Sequence, residues 1–156
     1  MFTAVCTSFF AEFDTYKNGS EPSFDHVALQ KNGDVHNNGS NNLAAAIQIK
    51  NGVNNVENGQ WYPMQIKWDA NLKKFDVYVD CQLRVSYTGD IINSIFNGDP
   101  MVYWGFTAST GGAYNEHRVR NVRTNLIRQH QTASWSGVSE IKYHKCHECE
   151  FGNFYF

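Results

Sequence analysis

The sequence predicts an all-β protein, an antiparallel sandwich of short strands joined by tight turns. Aromatic residues make up 15% of the 156 residues, charged residues 18%, and there are twelve glycines. Aromatic and β-branched residues favour strands, whereas glycine and asparagine favour turns. Turn signals recur between short apolar runs, and only one short segment has a helical pattern. These three observations are typical of an antiparallel β-sandwich.

Length and charge set limits on the function. A chain of 156 residues is expected to form one domain with a single core. The net charge of −2 gives no basic surface for nucleic acid, and no apolar run approaches the length of a membrane span. The apolar residues 1–10 lack a cationic start, so no signal peptide is visible.

The first half of the chain is expected to contain three strands. The first is predicted from Cys6 to Thr15, and the second from His26 to Lys31, which ends at an Asn-Gly-Asp turn. Residues 35–42 are rich in asparagine, glycine and serine and are predicted as a loop. Residues 43–50 contain three alanines, but the alternation near their end favours a short strand over a helix.

The most regular pattern predicts a three-stranded meander from Trp61 to Tyr87. Pro63 lacks an N–H, so it is expected at a strand start or an edge. The predicted inward-facing residues are Met64, Ile66 and Trp68, then Phe75, Val77 and Val79, and then Leu83, Val85 and Tyr87.

The last third of the chain is less regular. Residues 90–96 predict one or two helical turns, residues 101–107 a buried strand, and residues 119–127 a weaker last strand. We therefore expect a sandwich domain over residues 1–127 and a divergent tail over residues 128–156.

A group of acidic residues surrounds the turn after the first predicted strand. Glu12 and Asp14 share one strand face, roughly 6.6 Å apart, and two unpaired carboxylates at that distance favour a cation. Asn18 and Glu21 follow in the turn, and His26 begins the next strand. Oxygen ligands suit calcium or magnesium, whereas an imidazole suits manganese or zinc. The alternative is a solvated loop followed by a hydrogen-bonded strand-end histidine.

Two sequence blocks match those of a known family. The first reads EFDTYKN over residues 12–18 and EPSFDHVAL over residues 21–29. The second reads WGFTASTGG over residues 104–112 and NEHRV over residues 115–119. Together, and in this order, they resemble the legume-type (L-type) lectins, the concanavalin A family and its bacterial relatives.

The resemblance implies a concanavalin A-like jelly roll with two metal ions. Glu12, Asp14 and His26 would bind a manganese-like transition ion. Calcium would be bound by Asp14, the Tyr16 carbonyl, Asn18 and Glu21, with Glu21 reaching both ions. The family usually has aspartate in place of Glu21, and the turn before it looks shorter here. The expected cofactors are therefore Ca²⁺ and Mn²⁺ or another transition metal.

The resemblance also implies a non-catalytic, carbohydrate-binding protein that is secreted or held at the cell surface. The expected partners are glycans or glycoconjugates. The sugar site would consist of Tyr16 and Asn18 in the metal turn and of a specificity loop formed by Gly111, Gly112, Ala113 and Tyr114.

The matching blocks cover only the later part of the family domain, roughly residues 9–123. We therefore expect either an N-terminally truncated, incomplete sandwich or one whose early strands come from another chain. Open sheet edges would then favour a homo-oligomer or a partner chain.

Four cysteines show no recognisable disulfide framework. The tail places Cys146 and Cys149 at C-x-x-C spacing near His144, which is half of a zinc-site pattern. The alternatives are a disulfide or a tail without a metal.

Two competing functions stay open from the sequence. Laminarinase-like glycoside hydrolases share the sandwich and carry carboxylates along one strand, although the third position of that face is Tyr16 here. The second alternative is a structural or adhesive fragment that has lost sugar binding.

Overall fold

A computed structural model describes residues 7–124 and the backbone of residues 153–155. It contains two antiparallel sheets. The first consists of β1 (Phe9–Asp14), β2 (His26–Lys31) and β3 (Asn42–Gln48), in that spatial order. The second consists of β4 (Trp61–Asp69), β5 (Lys74–Val79), β6 (Gln82–Thr88), β7 (Arg118–Arg120) and β8 (Asn153–Tyr155). Its spatial order is β6-β5-β4-β8-β7. The all-β antiparallel architecture is confirmed.

A single apolar cluster lies between the two sheets. β2 is the central strand of the smaller sheet and is buried along nearly its whole length. Its side chains Val27 and Leu29 are fully buried against the larger sheet. The buried cluster consists of Val27, Leu29, Ile49, Val56, Tyr62, Met64, Val77, Val79 and Val85. The core therefore lies on one face of β2, which leaves the opposite face for polar side chains.

The meander forms as predicted, but three residues placed inside by the sequence are exposed: Ile66, Trp68 and Leu83. Ile66 and Trp68 are 47% and 40% exposed, because β8 pairs only with residues 61–63 and no other described strand covers the later part of β4 on that side.

β5 and β6 lose register between Val77 and Tyr78, so that Val77 pairs with Val85 and Tyr78 pairs with Leu83. This bulge breaks the period-2 alternation, and Leu83 is 46% exposed although the sequence placed it inside. The residue left over in the bulge is Arg84, whose Nε and Nη2 donate to the Gln48 carbonyl at 3.0 and 2.8 Å. The bulge thus ties the two sheets together.

The prediction of a buried strand over residues 101–107 is wrong. This segment contains no strand, and Trp104 is 65% exposed. A strand requires a hydrogen-bonded neighbour, and no described strand pairs with this segment. The last predicted strand is also shorter than expected, because β7 covers only Arg118–Arg120.

The expected helical turn is confirmed as α1 (Ile91–Ser94), which Asp90 caps by accepting from Asn93 N at 3.1 Å. Cys81, in the turn between β5 and β6, is disulfide-bonded, which no cysteine spacing indicated. In the described part of the chain, no helix has the length and apolar character to cross a membrane.

Candidate metal and carbohydrate site

The register of β1 and β2 places the predicted ion ligands of these strands on one face. Asp14 pairs with His26, and Glu12 pairs with Ala28. Because side chains of paired residues lie on the same face of a sheet, both carboxylates share a face with the imidazole. His26 is only 2% exposed, so the ring is shielded from solvent. This face is the one opposite the apolar cluster.

The electrostatics of this face centre on Glu12. Burial, together with the negative charges of Asp14 and Glu21, raises the pKa of Glu12 to about 7, and only His36 opposes the shift. The Glu12 carboxylate is therefore difficult to ionise in the arrangement described. A cation beside it would favour the ionised form.

The turn after β1 is held by its own acidic side chains. Asp14 Oδ1 accepts from Tyr16 N at 2.8 Å, and Glu21 Oε2 accepts from Asn18 N at 2.6 Å. Glu21 N donates in return to Asn18 O at 2.9 Å. Asn18 Nδ2 lies 3.4 Å from the Tyr16 carbonyl oxygen, to which it donates. The four residues expected to bind calcium are thus neighbours in one compact turn.

Two carboxamides that the sequence reasoning missed join Glu12 to His26. Gln30 Nε2 donates to Glu12 Oε2 at 2.6 Å and to Asn37 Oδ1 at 3.2 Å. Asn37 Nδ2 lies 2.9 Å from His26 Nε2. Gln30 is fully buried, and its Oε1 has no hydrogen-bond partner. The sequence offered one signal for Gln30, because this polar residue lies on the same face of the predicted strand as His26. Nothing in the loop sequence distinguishes Asn37.

A hydrogen bond joins the second sequence block to the turn. Asn115 Nδ2 donates to Thr15 Oγ1 at 3.3 Å, which joins residues 100 positions apart. Asn115 directly follows the predicted specificity loop, in which Gly111 N donates to Ala113 O at 3.1 Å. Tyr114 is 89% exposed and Tyr16 is 59% exposed, so both rings are available to a ligand.

The family model of the legume lectin domain matches residues 4–139. The chain belongs to the legume lectin family. No solved structure matches this legume lectin domain. The match spans both blocks and confirms the resemblance on which the site residues were chosen.

Membership of the legume lectin family supports a carbohydrate-binding lectin role for this chain. Legume lectins are in general non-catalytic and extracellular. The matched range continues past residue 127, where the sequence had placed the end of the sandwich. The candidate zinc ligands His144, Cys146 and Cys149 lie outside the described residues, and their role stays a prediction.

The donor set of this lectin domain fits the expected ions in kind. Carboxylate, carbonyl and amide oxygens suit calcium, and the imidazole with carboxylates suits a transition ion. The unpartnered Gln30 Oε1 adds a buried oxygen acceptor close to Glu12. Across residues 7–124 and 153–155, however, no three His, Cys, Asp or Glu side chains form a group able to hold a metal ion. The turn carboxylates and His26 are instead engaged by amide groups, as described above.

Proposed function

We propose that this chain is a non-catalytic glycan-binding module whose sugar site is organised by Ca²⁺ and by Mn²⁺ or another transition ion. The observation that carries the proposal is the hydrogen bond between Thr15 and Asn115. It brings the acidic turn and the segment after the glycine-rich loop together, although they are remote in sequence. A sugar needs paired polar groups and an aromatic surface in one place, and this contact supports placing them here.

The ion ligands would be shared between two positions. Glu12, Asp14 and His26 would hold the transition ion, and Asp14, the Tyr16 carbonyl, Asn18 and Glu21 would hold calcium. Bound ions would neutralise the carboxylates and fix the conformation of the turn. The longer Glu21 side chain would compensate for the shorter turn that precedes it.

The sugar contacts follow from the groups that the turn and the loop expose. The Asn18 carboxamide would donate to and accept from a pair of sugar hydroxyls, and the Tyr16 ring would pack on the apolar face of the sugar. Gly111 and Gly112 have open space where a Cβ would lie, so a ligand can approach the backbone closely there. The Gly111 N–H is bonded to the Ala113 carbonyl, so Gly112 would supply the N–H to the ligand. Ala113 and Tyr114 would form the rim.

A glycan array measured with Ca²⁺ and Mn²⁺, and again with a chelator, tests the proposal. We expect binding with the ions, loss of binding with the chelator, and loss of binding in Asn18→Ala. The matched control is Asn71→Ala, which changes an exposed asparagine in the turn between β4 and β5. Binding that persists in Asn18→Ala or in the chelator would refute the proposed site. Silence on the array with both ions would favour the structural or adhesive alternative.

A hydrolase is the second candidate, because Glu12 and Asp14 share one face of β1 and burial raises the pKa of Glu12 to about 7, which suits a general acid. Retaining glycosidases need such an acid and a second carboxylate on the opposite side of the scissile bond. A reducing-sugar assay on β-glucans distinguishes the candidates. Turnover that is abolished in Glu12→Gln would establish the hydrolase, and the absence of turnover is expected for the lectin.

A further inference from the structure

Asparagine is followed directly by glycine at six positions of the sequence. The six asparagines are Asn18, Asn32, Asn38, Asn51, Asn58 and Asn97. In such a pair the backbone nitrogen of the glycine can attack the side-chain carbonyl carbon of the asparagine, which is the first step of deamidation. Glycine permits this approach because it carries no Cβ beside the attacking nitrogen. The dipeptide is the same at all six positions, so the fold determines which of them reacts.

The attacking nitrogen is already engaged in four of the six pairs. The acceptors of the glycine N–H groups are Ser8 Oγ for Gly33, the His36 carbonyl for Gly39, Gln48 Oε1 for Gly52 and the Ile92 carbonyl for Gly98. Such a bond must break before the nitrogen can attack, which slows the reaction by about fivefold. Within the described ranges, the N–H groups of Gly19 and Gly59 donate to no acceptor.

The side-chain amide distinguishes the two remaining pairs. Asn58 is held at both ends, because its Nδ2 donates to Tyr62 OH at 2.7 Å and its Oδ1 accepts from Gln60 N at 3.0 Å. Asn18 Nδ2 makes a single contact, 3.4 Å from the Tyr16 carbonyl oxygen, which is longer than the usual range. Asn18 is exposed, and the space beside the following glycine is open. Both reacting groups are therefore accessible only at Asn18 among these six described pairs.

We propose that Asn18-Gly19 is the preferred deamidation site of this chain and that the reaction abolishes sugar binding. The Gly19 nitrogen forms a bond to Asn18 Cγ, and the side-chain NH₂ leaves as ammonia with the proton from Gly19 N. Water then opens the five-membered ring at either carbonyl, which leaves aspartate or isoaspartate at position 18. The sequence of steps consumes water, releases ammonia and involves no oxidation or reduction.

The product is incompatible with the turn as it stands. A carboxylate at position 18 has no N–H for the Tyr16 carbonyl and adds negative charge to a turn that already contains Asp14 and Glu21. Isoaspartate also lengthens the backbone inside the turn that Glu21 closes by two hydrogen bonds to Asn18. The loss of sugar binding rests on the proposed function, which assigns the sugar hydroxyls to the Asn18 carboxamide. The modification itself does not rest on it.

Ageing of the intact, folded chain in mildly alkaline buffer, followed by peptide mapping with mass spectrometry, tests the site. Asn18 is expected to lose its amide first, about fivefold faster or more than the four pairs whose glycine N–H is bonded. The control is the same chain unfolded in urea, where the preference for Asn18 is expected to disappear. Another site reacting first in the folded chain, or a preference that persists in urea, overturns the proposal.

A variant tests the protective role of the glycine hydrogen bond at a second pair. Gln48→Ala removes the Oε1 that accepts from Gly52 N at 2.9 Å, and Asn51 before this glycine is exposed. Asn51 is then expected to deamidate about fivefold faster, with the rate at Asn18 unchanged. The matched control is Gln82→Ala, which removes another glutamine, exposed at the start of β6. An unchanged rate at Asn51 in Gln48→Ala overturns the selection by hydrogen bonding.

Glycan binding by the same aged samples separates the modification from the proposed function. Binding that falls in step with the converted fraction at Asn18 supports both parts of the proposal. Full binding by a fully converted chain overturns the link to the sugar and leaves the modification standing. A fresh chain that binds no glycan overturns the proposed function and this link together, whereas the peptide masses still decide whether Asn18 is the preferred site.

Discussion

Replacing Arg84 by alanine is expected to weaken the connection between the two sheets. Arg84 occupies the bulge between β5 and β6, and its guanidinium donates twice to the Gln48 carbonyl, at 2.8 and 3.0 Å. Gln48 is the last residue of β3 and pairs with His26 on β2. The contact thus supports the strand that flanks the candidate ion ligand.

The size of the effect follows from the geometry of this contact. A hydrogen bond to a charged group contributes about 1.5–3 kcal/mol, and two bonds to one oxygen are not additive. Removing both hydrogen bonds also leaves the partly buried Gln48 carbonyl without the guanidinium donor. We expect a loss of about 2–3 kcal/mol in the free energy of unfolding. For a chain of this length that is a fall of about 4–12 °C in Tm.

Urea denaturation is the appropriate assay, with a lower midpoint and an unchanged m-value as the expected result. Arg84→Lys replaces the two donating guanidinium nitrogens by one ammonium nitrogen and is expected to lose about half as much. The control is Lys67→Ala, because Lys67 is exposed and its ammonium lies 5.9 Å from the Tyr78 ring centroid. That change is expected to cost no more than about 1 kcal/mol. Equal losses in Arg84→Ala and Lys67→Ala would refute the bridging role of the guanidinium.

Three further predictions concern ions, acid and the core. Calcium and manganese at about 100 times Kd are each expected to stabilise the fold by about 2.7 kcal/mol in thermal unfolding, and no shift with either ion would refute the metal proposal. Hydrogen bonds from Lys73 and Asn93 lower the pKa of Asp90 from 3.8 to about 2, so its contribution to stability is present above pH 3.8 and is lost as the pH falls toward 2. Urea unfolding should therefore show Asp90→Asn less stable than the unchanged chain at pH 5, with a smaller difference at pH 2; equal differences would contradict this. Leu29 is fully buried, and Leu29→Ala is expected to cost about 2–5 kcal/mol in the same assay, whereas a loss below about 1 kcal/mol would contradict its place in the core.

The sequence predicts those parts of the fold that depend on local alternation. The strand His26–Lys31 is found with the predicted bounds, and Met64, Val77 and Val79 are buried as expected. Alternation fails at Leu83 because a bulge depends on pairing between two strands, which no single strand's sequence encodes. The prediction of a strand over residues 101–107 is wrong for a related reason. Strand propensity does not supply a neighbouring strand to pair with.

Some residues of the candidate site could likewise be placed from the sequence, and others could not. Glu12 and Asp14 could be placed on one face by strand period alone, and the register then adds His26 to that face. The contacts of Asn37 could not be predicted, because a loop side chain reaches its partners through tertiary structure rather than through periodicity. The contact of Thr15 with Asn115 was not predicted, and the family resemblance implied only that the metal turn and the glycine-rich loop share a sugar site.

The bond between Thr15 and Asn115 also determines when the recognition surface exists. It closes a loop of 100 residues, which for an unstructured chain would cost about 4 kcal/mol of entropy, more than one neutral hydrogen bond returns. The contact therefore forms only after the intervening strands have folded and shortened the effective loop. In native-state hydrogen exchange, the segment around Asn115 should open well before β2 and β5 exchange. The proposed sugar-binding surface is accordingly completed late in folding and lost early under mild denaturation.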